Sequence, residues 1–169
     1  YYALTGTIIS ESGNVRYDEA KLYASQDGCT WKVLKDETEL ELSVCGDMCL
    51  AQNKLVAVDK LDNKIYTYDL QGNLLHISKE TVENQWRICN ITYTDELFIA
   101  VGNDGILYSA DGIEWSQSKY KKRISCIESQ SLEYWNGSLW MLTDRNGSCY
   151  QFVLSSLAEA ESNEYLSSK

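Results

Sequence analysis

One seven-residue phrase occurs twice and decides the fold: SQDGCTW at 25–31 and SADGIEW at 109–115. The copies share the pattern Ser-x-Asp-Gly-x-x-Trp, and their aspartates, Asp27 and Asp111, lie 84 residues apart. Half of that spacing leads from Asp27 to Asp69, inside a degenerate copy, TYDLQG at 67–72, that lies between the other two in sequence. The sequence therefore predicts an internal repeat with a period of 42 residues.

The sequence around the phrases keeps the same register. The apolar stretch at 54–58 precedes a similar stretch at 96–100 by 42 residues, and a fourth copy near Gly147 has lost its turn phrase. In the third unit, short apolar runs predict strands at 88–93, 97–101 and 106–109, with a further strand after Trp115. Asx-Gly pairs such as 136–137 supply the positive φ angles of tight hairpins. We predict about four units of four strands each, with approximate bounds 1–38, 39–81, 82–121 and 122–155.

Composition also favours an all-β chain. There is no proline, whereas 12 Tyr, 5 Trp and 2 Phe give an aromatic content that favours strands. Repeated antiparallel units of about 42 residues are typical of the blades of a β-propeller. The predicted fold is an all-β propeller of about four blades over residues 1–155, either a small ring or part of a larger one. Residues 156–169 read as a polar tail whose capping box favours a short helix.

The repeated phrase resembles the Asp-box, or bacterial neuraminidase repeat, of sialidases, sortilin-like receptors and photosystem assembly factors, which are β-propellers. The resemblance covers about residues 21–150, and this chain lacks one residue between the Asp and the Gly of the usual pattern. On physical grounds the box is structural: Ser and Asp accept backbone N–H bonds, Gly allows a special conformation, and Trp covers the turn from the core side. The residues assigned to this role are Ser25, Asp27, Gly28, Trp31, Thr67, Asp69, Gly72, Ser109, Asp111, Gly112 and Trp115.

Charge and hydropathy exclude two classes of partner. Twenty-five Asp and Glu against fifteen Lys and Arg give a net charge of −10, which repels phosphate backbones, so no nucleic acid is expected. The longest apolar runs, such as 97–101, have about five residues, far fewer than the roughly 20 that span a bilayer, so no membrane insertion is expected. The chain begins without Met, which leaves its localisation open.

Candidate catalytic groups are sparse. Sialidases resemble one another in an arginine triad, and their Arg-Ile-Pro motif cannot occur without proline; the nearest phrase here is RIC at 87–89. A Ser-His-Asp arrangement would depend on the single histidine, His76, in a predicted strand. Other glycoside hydrolases need only two carboxylates, and 25 acidic residues leave that pair undetermined. We therefore predict no catalytic residue and favour a chain that is not an enzyme.

The six cysteines invite a metal or disulfide interpretation. The repeat instead aligns several of them with apolar positions, which predicts small core residues at Cys29, Cys49 and Cys149. With one histidine and no Cys-x-x-Cys, we predict no metal site, and nothing in the sequence indicates a cofactor. A disulfide framework is the alternative that stays open.

Aromatic residues near predicted loop tips carry the functional prediction: Trp86, Tyr134 and Trp135 are candidate ligand-binding residues. The favoured function is a non-catalytic recognition module that binds a protein or a glycan through loops at one end of its blades. One alternative is a glycoside hydrolase of sialidase-like architecture. The other is a structural half-propeller that completes a larger ring, either as a homo-oligomer or as part of a larger chain.

Overall fold

The chain is all-β wherever its structure is described. The computed structural model describes residues 1–11, 14–36, 38–59, 61–78, 88–102, 105–118, 129–143 and 149–153. Within these ranges there are fourteen strands and no helix, which confirms the predicted all-β class. The strands are β1 (Tyr2–Glu11), β2 (Asn14–Ala24), β3 (Lys32–Lys35), β4 (Cys45–Ala51), β5 (Lys54–Asp59), β6 (Ile65–Asp69), β7 (Leu74–Ile77), β8 (Ile88–Tyr93), β9 (Phe98–Gly102), β10 (Gly105–Ser109), β11 (Ser116–Gln117), β12 (Ser129–Trp135), β13 (Ser138–Thr143) and β14 (Cys149–Val153).

The described strands form four antiparallel meanders in which neighbours in sequence are neighbours in space. Sheet 1 is β1-β2-β3, sheet 2 is β4-β5-β6-β7, sheet 3 is β8-β9-β10-β11 and sheet 4 is β12-β13-β14. Each sheet lies within one of the four predicted units. The predicted tail at 156–169 lies outside the described residues.

Tight turns with positive φ close two of the hairpins. Between β4 and β5, Gln52 and Asn53 have φ angles of 51° and 57°; between β12 and β13, Asn136 and Gly137 have 50° and 75°. Two successive positive φ angles match the right-handed twist of the flanking strands, and Asn and Gly adopt them at the least steric cost. The prediction of a hairpin turn at 136–137 is confirmed.

The chain divides into two compact units, and unit 1 (Tyr1–Lys79) contains sheets 1 and 2. Its core joins Leu22 of β2 to Leu55 and Ala57 of β5 and to Tyr66 and Tyr68 of β6. The two tyrosine rings stack with centroids 6.3 Å apart. Sheet 1 therefore packs one face on one face of sheet 2.

Unit 2 (Glu80–Lys169) contains sheets 3 and 4 and repeats this arrangement. Its core joins Ile99 and Val101 of β9 to Leu132 of β12 and to Leu139 and Met141 of β13. All five side chains are at most 4% exposed. Face-to-face packing of neighbouring sheets is how propeller blades bury their apolar surface. None of the described residues lies in a helix that could cross a membrane.

Candidate functional site

The first box turn, residues 25–31, joins β2 to β3 and is fixed by its own side chains. Ser25 Oγ donates to Asp27 Oδ1 at 2.9 Å and accepts from the Gly28 N–H at 2.9 Å. Asp27 Oδ1 also accepts from the backbone N–H groups of Cys29 and Thr30, at 2.8 and 2.7 Å. Gly28 has a φ of 75°, a conformation that disfavours residues with a Cβ. The turn is therefore rigid before any ligand binds.

The third box turn, residues 109–115, repeats this geometry between β10 and β11. Ser109 Oγ donates to Asp111 Oδ1 at 3.0 Å and accepts from the Gly112 N–H at 2.8 Å. Asp111 Oδ1 accepts from the N–H groups of Ile113 and Glu114 at 2.8 and 3.0 Å. Two segments 84 residues apart in sequence thus use the same side chains for the same hydrogen bonds.

The second, degenerate copy forms a different turn. Asp69 Oδ1 accepts from the N–H groups of Gln71 and Asn73 at 2.9 and 2.8 Å, and the Gly72 N–H donates to the Asp69 carbonyl at 3.0 Å. Gly72 has a φ of 80°. Thr67 lies inside β6, fully buried and opposite His76 of β7. The aspartate and the glycine therefore keep a turn role, whereas Thr67 is a strand residue.

The prediction that the box tryptophan covers its turn from the core side is wrong for Trp31. Its side chain is 41% exposed, and its Nε1–H donates to the Gly28 carbonyl at 3.2 Å. The indole N–H thus finds its partner within its own turn, and the ring stays at the surface. Trp115 is half-buried, and its Nε1 has no hydrogen-bond partner among the described residues.

A cleft of about 730 Å³ opens beside the first box turn in unit 1. The register of sheet 1 places Tyr2, Ala24 and Lys32 in one row across the strands, and all three line the cleft. The lining is completed by Tyr1, Ser25, Gln26, Asp27, Thr30 and Leu34. The residues that line the cleft therefore include two tyrosines, a glutamine, an aspartate and a lysine.

The electrostatics of the turn hold Asp27 in its ionised form. Hydrogen bonds from the backbone N–H groups of Thr30 and Cys29, and from the Ser25 hydroxyl, lower the pKa of Asp27 well below its ordinary value of 3.8. The Ser25 hydroxyl and the backbone N–H groups of Cys29 and Thr30 all donate to the same oxygen, Asp27 Oδ1. Asp27 therefore offers a hydrogen-bond acceptor at every physiological pH.

The structure separates the three aromatic residues predicted to bind a ligand. Trp86 lies outside the described residues. Tyr134 is half-buried against the core of unit 2, and its hydroxyl donates to Asp95 Oδ2 at 3.0 Å, a bond that raises the pKa of Tyr134. Trp135 is 68% exposed, at the end of β12. Neighbouring strand residues point to opposite faces, so Tyr134 supports the core while Trp135 is available to a partner.

Within the described residues, the histidine and the cysteines that could support catalysis or metal binding are dispersed. His76 is half-buried on β7, and no three metal-ligating side chains come together in the described part of the chain. Burial raises the pKa of the Cys49 thiol to about 12, as suits a core position. Cys29, predicted as a core residue, is exposed because the first box turn points it outward.

Two features had no signal in the sequence. The cleft residues Tyr1, Tyr2 and Lys32 come together only through strand pairing between distant segments. Asp59 is fully buried and accepts backbone N–H bonds from Ser43 at 2.6 Å and from Leu61 at 2.7 Å. Gln26 lies inside the box phrase and Lys32 directly follows it, which was the only cue that could have pointed to the cleft.

Comparisons with known proteins identify the fold but no family. No family model matches the sequence, and no curated protein matches it. Kluyveromyces lactis Hsv2 with a complete loop 6CD is similar in structure, with a TM-score of 0.52, 15% identity, and coverage of 91% of this chain and 45% of that chain. The computationally designed Ika4 protein has a TM-score of 0.49, 13% identity and 69% coverage of each chain.

Hsv2 is a seven-bladed propeller, and the chain spans 45% of its length. The stacked antiparallel meanders and this likeness together define the class: the chain is all-β with the fold of part of a β-propeller. At 15% identity the likeness shows the fold alone.

Proposed function

We propose that this chain is a non-catalytic recognition module that binds a glycan at the first box turn. The observation that carries the proposal is the cleft of about 730 Å³ beside that turn. Its volume lies within the roughly 300–1,000 Å³ usual for small-ligand sites. A propeller-type scaffold suits this role, because its stacked sheets hold loops in fixed positions.

The rigidity of the turn supports the proposal. Four hydrogen bonds of 2.7 to 2.9 Å fix the backbone at 25–30 without a ligand. A pre-ordered site loses little conformational entropy on binding, which leaves more of the contact energy for affinity. Polar ligands that bind weakly, such as sugars, benefit most from this smaller entropy loss.

The chemistry of the cleft supports a sugar more than an apolar ligand. The C–H faces of a pyranose ring pack on aromatic rings, and among the lining residues Tyr1 is an aromatic residue that is 71% exposed. Sugar hydroxyls donate to a carboxylate and an amide oxygen and accept from an ammonium group, which Asp27, Gln26 and Lys32 provide. The cleft walls thus match both the apolar and the polar surface of a sugar.

We also propose kinship with the Asp-box propellers. The support is the shared hydrogen-bond set at 25–31 and 109–115, in which Ser and Asp side chains cap the backbone N–H groups of the turn. If the two boxes are equivalent, Asp27→Asn and Asp111→Asn should lower the urea midpoint of unfolding by similar amounts. A change at only one of the two positions would count against the kinship.

Binding to a glycan array tests the function. The expected result is retention of one class of glycan by the full chain, with affinity lowered about tenfold by Gln26→Ala and by Lys32→Ala. The matched control is Gln117→Ala, an exposed glutamine on β11 that should leave binding unchanged. The proposal would be overturned if the unmodified chain bound no glycan, or if neither cleft variant altered its binding. Release of sugar from the array would indicate a hydrolase instead.

A further inference from the structure

The first and third box turns share their hydrogen bonds but differ in the exposure of their tryptophans. In the third box turn, Trp115 is half-buried. In the first box turn, Trp31 is 41% exposed, and its Nε1–H donates to the Gly28 carbonyl at 3.2 Å. This bond satisfies the indole N–H while much of the ring stays in solvent. The exposed ring is therefore a feature of the first box turn and not of the repeated phrase.

A second exposed ring lies at the same glycine. The Tyr1 side chain is 71% exposed, and a Cβ added at Gly28 would lie 3.7 to 3.9 Å from Cε2, Cδ2 and Cζ of the Tyr1 ring. The Tyr1 carbonyl accepts the Ser25 N–H at 2.9 Å, which fixes the backbone of residue 1 beside the turn. One edge of the ring therefore rests near Gly28, and most of its surface is open to solvent.

Gly28 sets the place of both rings. Its φ of 75° disfavours any residue with a Cβ, and the missing side chain leaves room for the Tyr1 ring. Its carbonyl is the acceptor for Trp31. We call the pair Tyr1 and Trp31 the aromatic platform.

The aromatic platform borders the cleft. Tyr1 is one of the lining residues, and Trp31 lies in sequence between Thr30 and Lys32, which also line the cleft. Two aromatic rings exposed at one turn leave apolar surface in water, which folding alone does not favour. A ligand in the cleft that extends over the turn would cover this surface.

The stereochemistry of a sugar decides whether it can lie on these rings. A pyranose packs on an aromatic ring through the C–H bonds that point out of its mean plane. In a β-1,4-linked glucose chain, the hydroxyl groups and the glycosidic bonds are equatorial, so both faces of each sugar carry only hydrogens. An α-linkage or an axial hydroxyl places an oxygen on one face. Flat aromatic surface therefore favours β-linked sugars with equatorial substituents.

Charge narrows the class of glycan further. The chain carries a net charge of −10, which repels uronic acids and sulfated sugars. A neutral glycan meets no such repulsion. The ligand class that fits both the rings and the charge is a neutral, β-linked glycan.

We propose that Tyr1 and Trp31 each stack on one sugar of a neutral, β-linked glycan with equatorial substituents. The inference rests on the proposed glycan-binding function and names the class of glycan that the cleft takes. Two stacking positions require at least two linked sugars, so affinity should rise from glucose to its β-1,4-linked oligomers.

Isothermal titration calorimetry of the full chain with cellotetraose and maltotetraose tests the linkage at equal length and composition. Cellotetraose should bind at least about tenfold more tightly than maltotetraose. Tyr1→Leu and Trp31→Leu should each weaken cellotetraose binding about tenfold, whereas Tyr1→Phe keeps the ring and should bind as tightly as the unmodified chain. The matched control is Trp135→Leu, at a tryptophan that is 68% exposed on β12, and it should leave the affinity unchanged.

Saturation-transfer NMR separates stacking from a merely structural role. Irradiation of the aromatic signals should saturate the axial protons of bound cellotetraose most strongly, and Tyr1→Leu should reduce this transfer. Tyr1 contacts the turn through its backbone carbonyl and its ring, so Tyr1→Leu keeps the hydrogen bonds within residues 25–30. An unchanged urea midpoint of unfolding verifies that the variant is folded.

The outcomes distinguish this inference from the proposed function. Equal affinity for the two tetrasaccharides, no binding of cellotetraose, or binding that neither Leu variant weakens would overturn the aromatic platform. If another glycan still bound and Gln26→Ala weakened that binding, the proposed glycan site would stand without the platform. A chain that binds no glycan at all would overturn both.

Discussion

Single aspartate carboxylates organise three turns of the described residues. Asp27 and Asp111 each accept two backbone N–H bonds and one hydroxyl bond on the same oxygen, and Asp69 organises a turn of its own. Backbone N–H groups in a turn have no strand partner, and a short acidic side chain satisfies them at close range. Turns can therefore form without any proline.

Acid should weaken the first box turn through Asp27. Because its folded-state pKa lies below 3.8, the ionised carboxylate stabilises the folded state above pH 3.8, and this contribution is lost as the pH falls through the folded-state pKa. Between about pH 5 and pH 2, unmodified protein should lose more stability than Asp27→Asn. Urea unfolding followed by tryptophan fluorescence measures both. Parallel pH profiles for the two proteins would refute this role.

Loss of the buried Asp59 carboxylate should be costly. Its oxygens accept the N–H groups of Ser43, Val44, Leu61 and Asp62 at 2.6 to 3.4 Å, and the residue is fully buried. Asp59→Ala leaves these donors unsatisfied and should lower the free energy of unfolding by about 3 kcal/mol. Chemical denaturation measures the change, with the exposed Glu114→Ala as control. A loss below about 1 kcal/mol would show that water replaces the carboxylate.

Turn geometry determines how each hairpin tolerates substitution. Gly72 and Gly137 have nearly equal φ angles of 80° and 75°. An added Cβ at Gly72 would lie 2.6 Å from Lys35 Cγ and 2.9 Å from Leu22 Cδ2, whereas within the described part of the chain nothing lies within 4 Å of one at Gly137. The two positions share backbone strain and differ in packing.

Gly72→Ala should therefore destabilise the protein more than Gly137→Ala. Backbone strain alone costs about 1–2 kcal/mol at either position, and overpacking at Gly72 adds about 1–3 kcal/mol. Thermal unfolding of the two variants gives the comparison directly. Equal unfolding temperatures would mean that the chain around Leu22 and Lys35 moves aside without cost.

Periodicity predicted elements well where local sequence decides them. Strands predicted at 88–93 and 97–101 appear as β8 (Ile88–Tyr93) and β9 (Phe98–Gly102), because alternating apolar residues and Asx turns act within one hairpin. The orientation of Trp31 was predicted wrongly. A tryptophan at this position can bury its ring in the core or donate its Nε1–H to a carbonyl of its own turn, as Trp31 does. The Ser-x-Asp-Gly-x-x-Trp pattern is the same in both cases.

At the scale of the whole molecule, the repeat predicted the stacked all-β class but not the candidate site. The class follows from a pattern that recurs along the chain. The cleft follows from the register between β1, β2 and β3, which brings Tyr2, Ala24 and Lys32 together from segments that share no motif. Long-range register of this kind depends on packing that one sequence does not display.

An amide-resolved NMR titration with a glycan selected on the array tests the central claim most directly. Binding in the cleft should shift the backbone amide signals of Gly28, Cys29, Thr30 and Lys32 in a saturable way. The amide signals of the hairpin at 136–137 should stay in place. Saturable shifts confined to the β12–β13 hairpin around Trp135, or no shifts at all, would contradict glycan recognition at the first box turn.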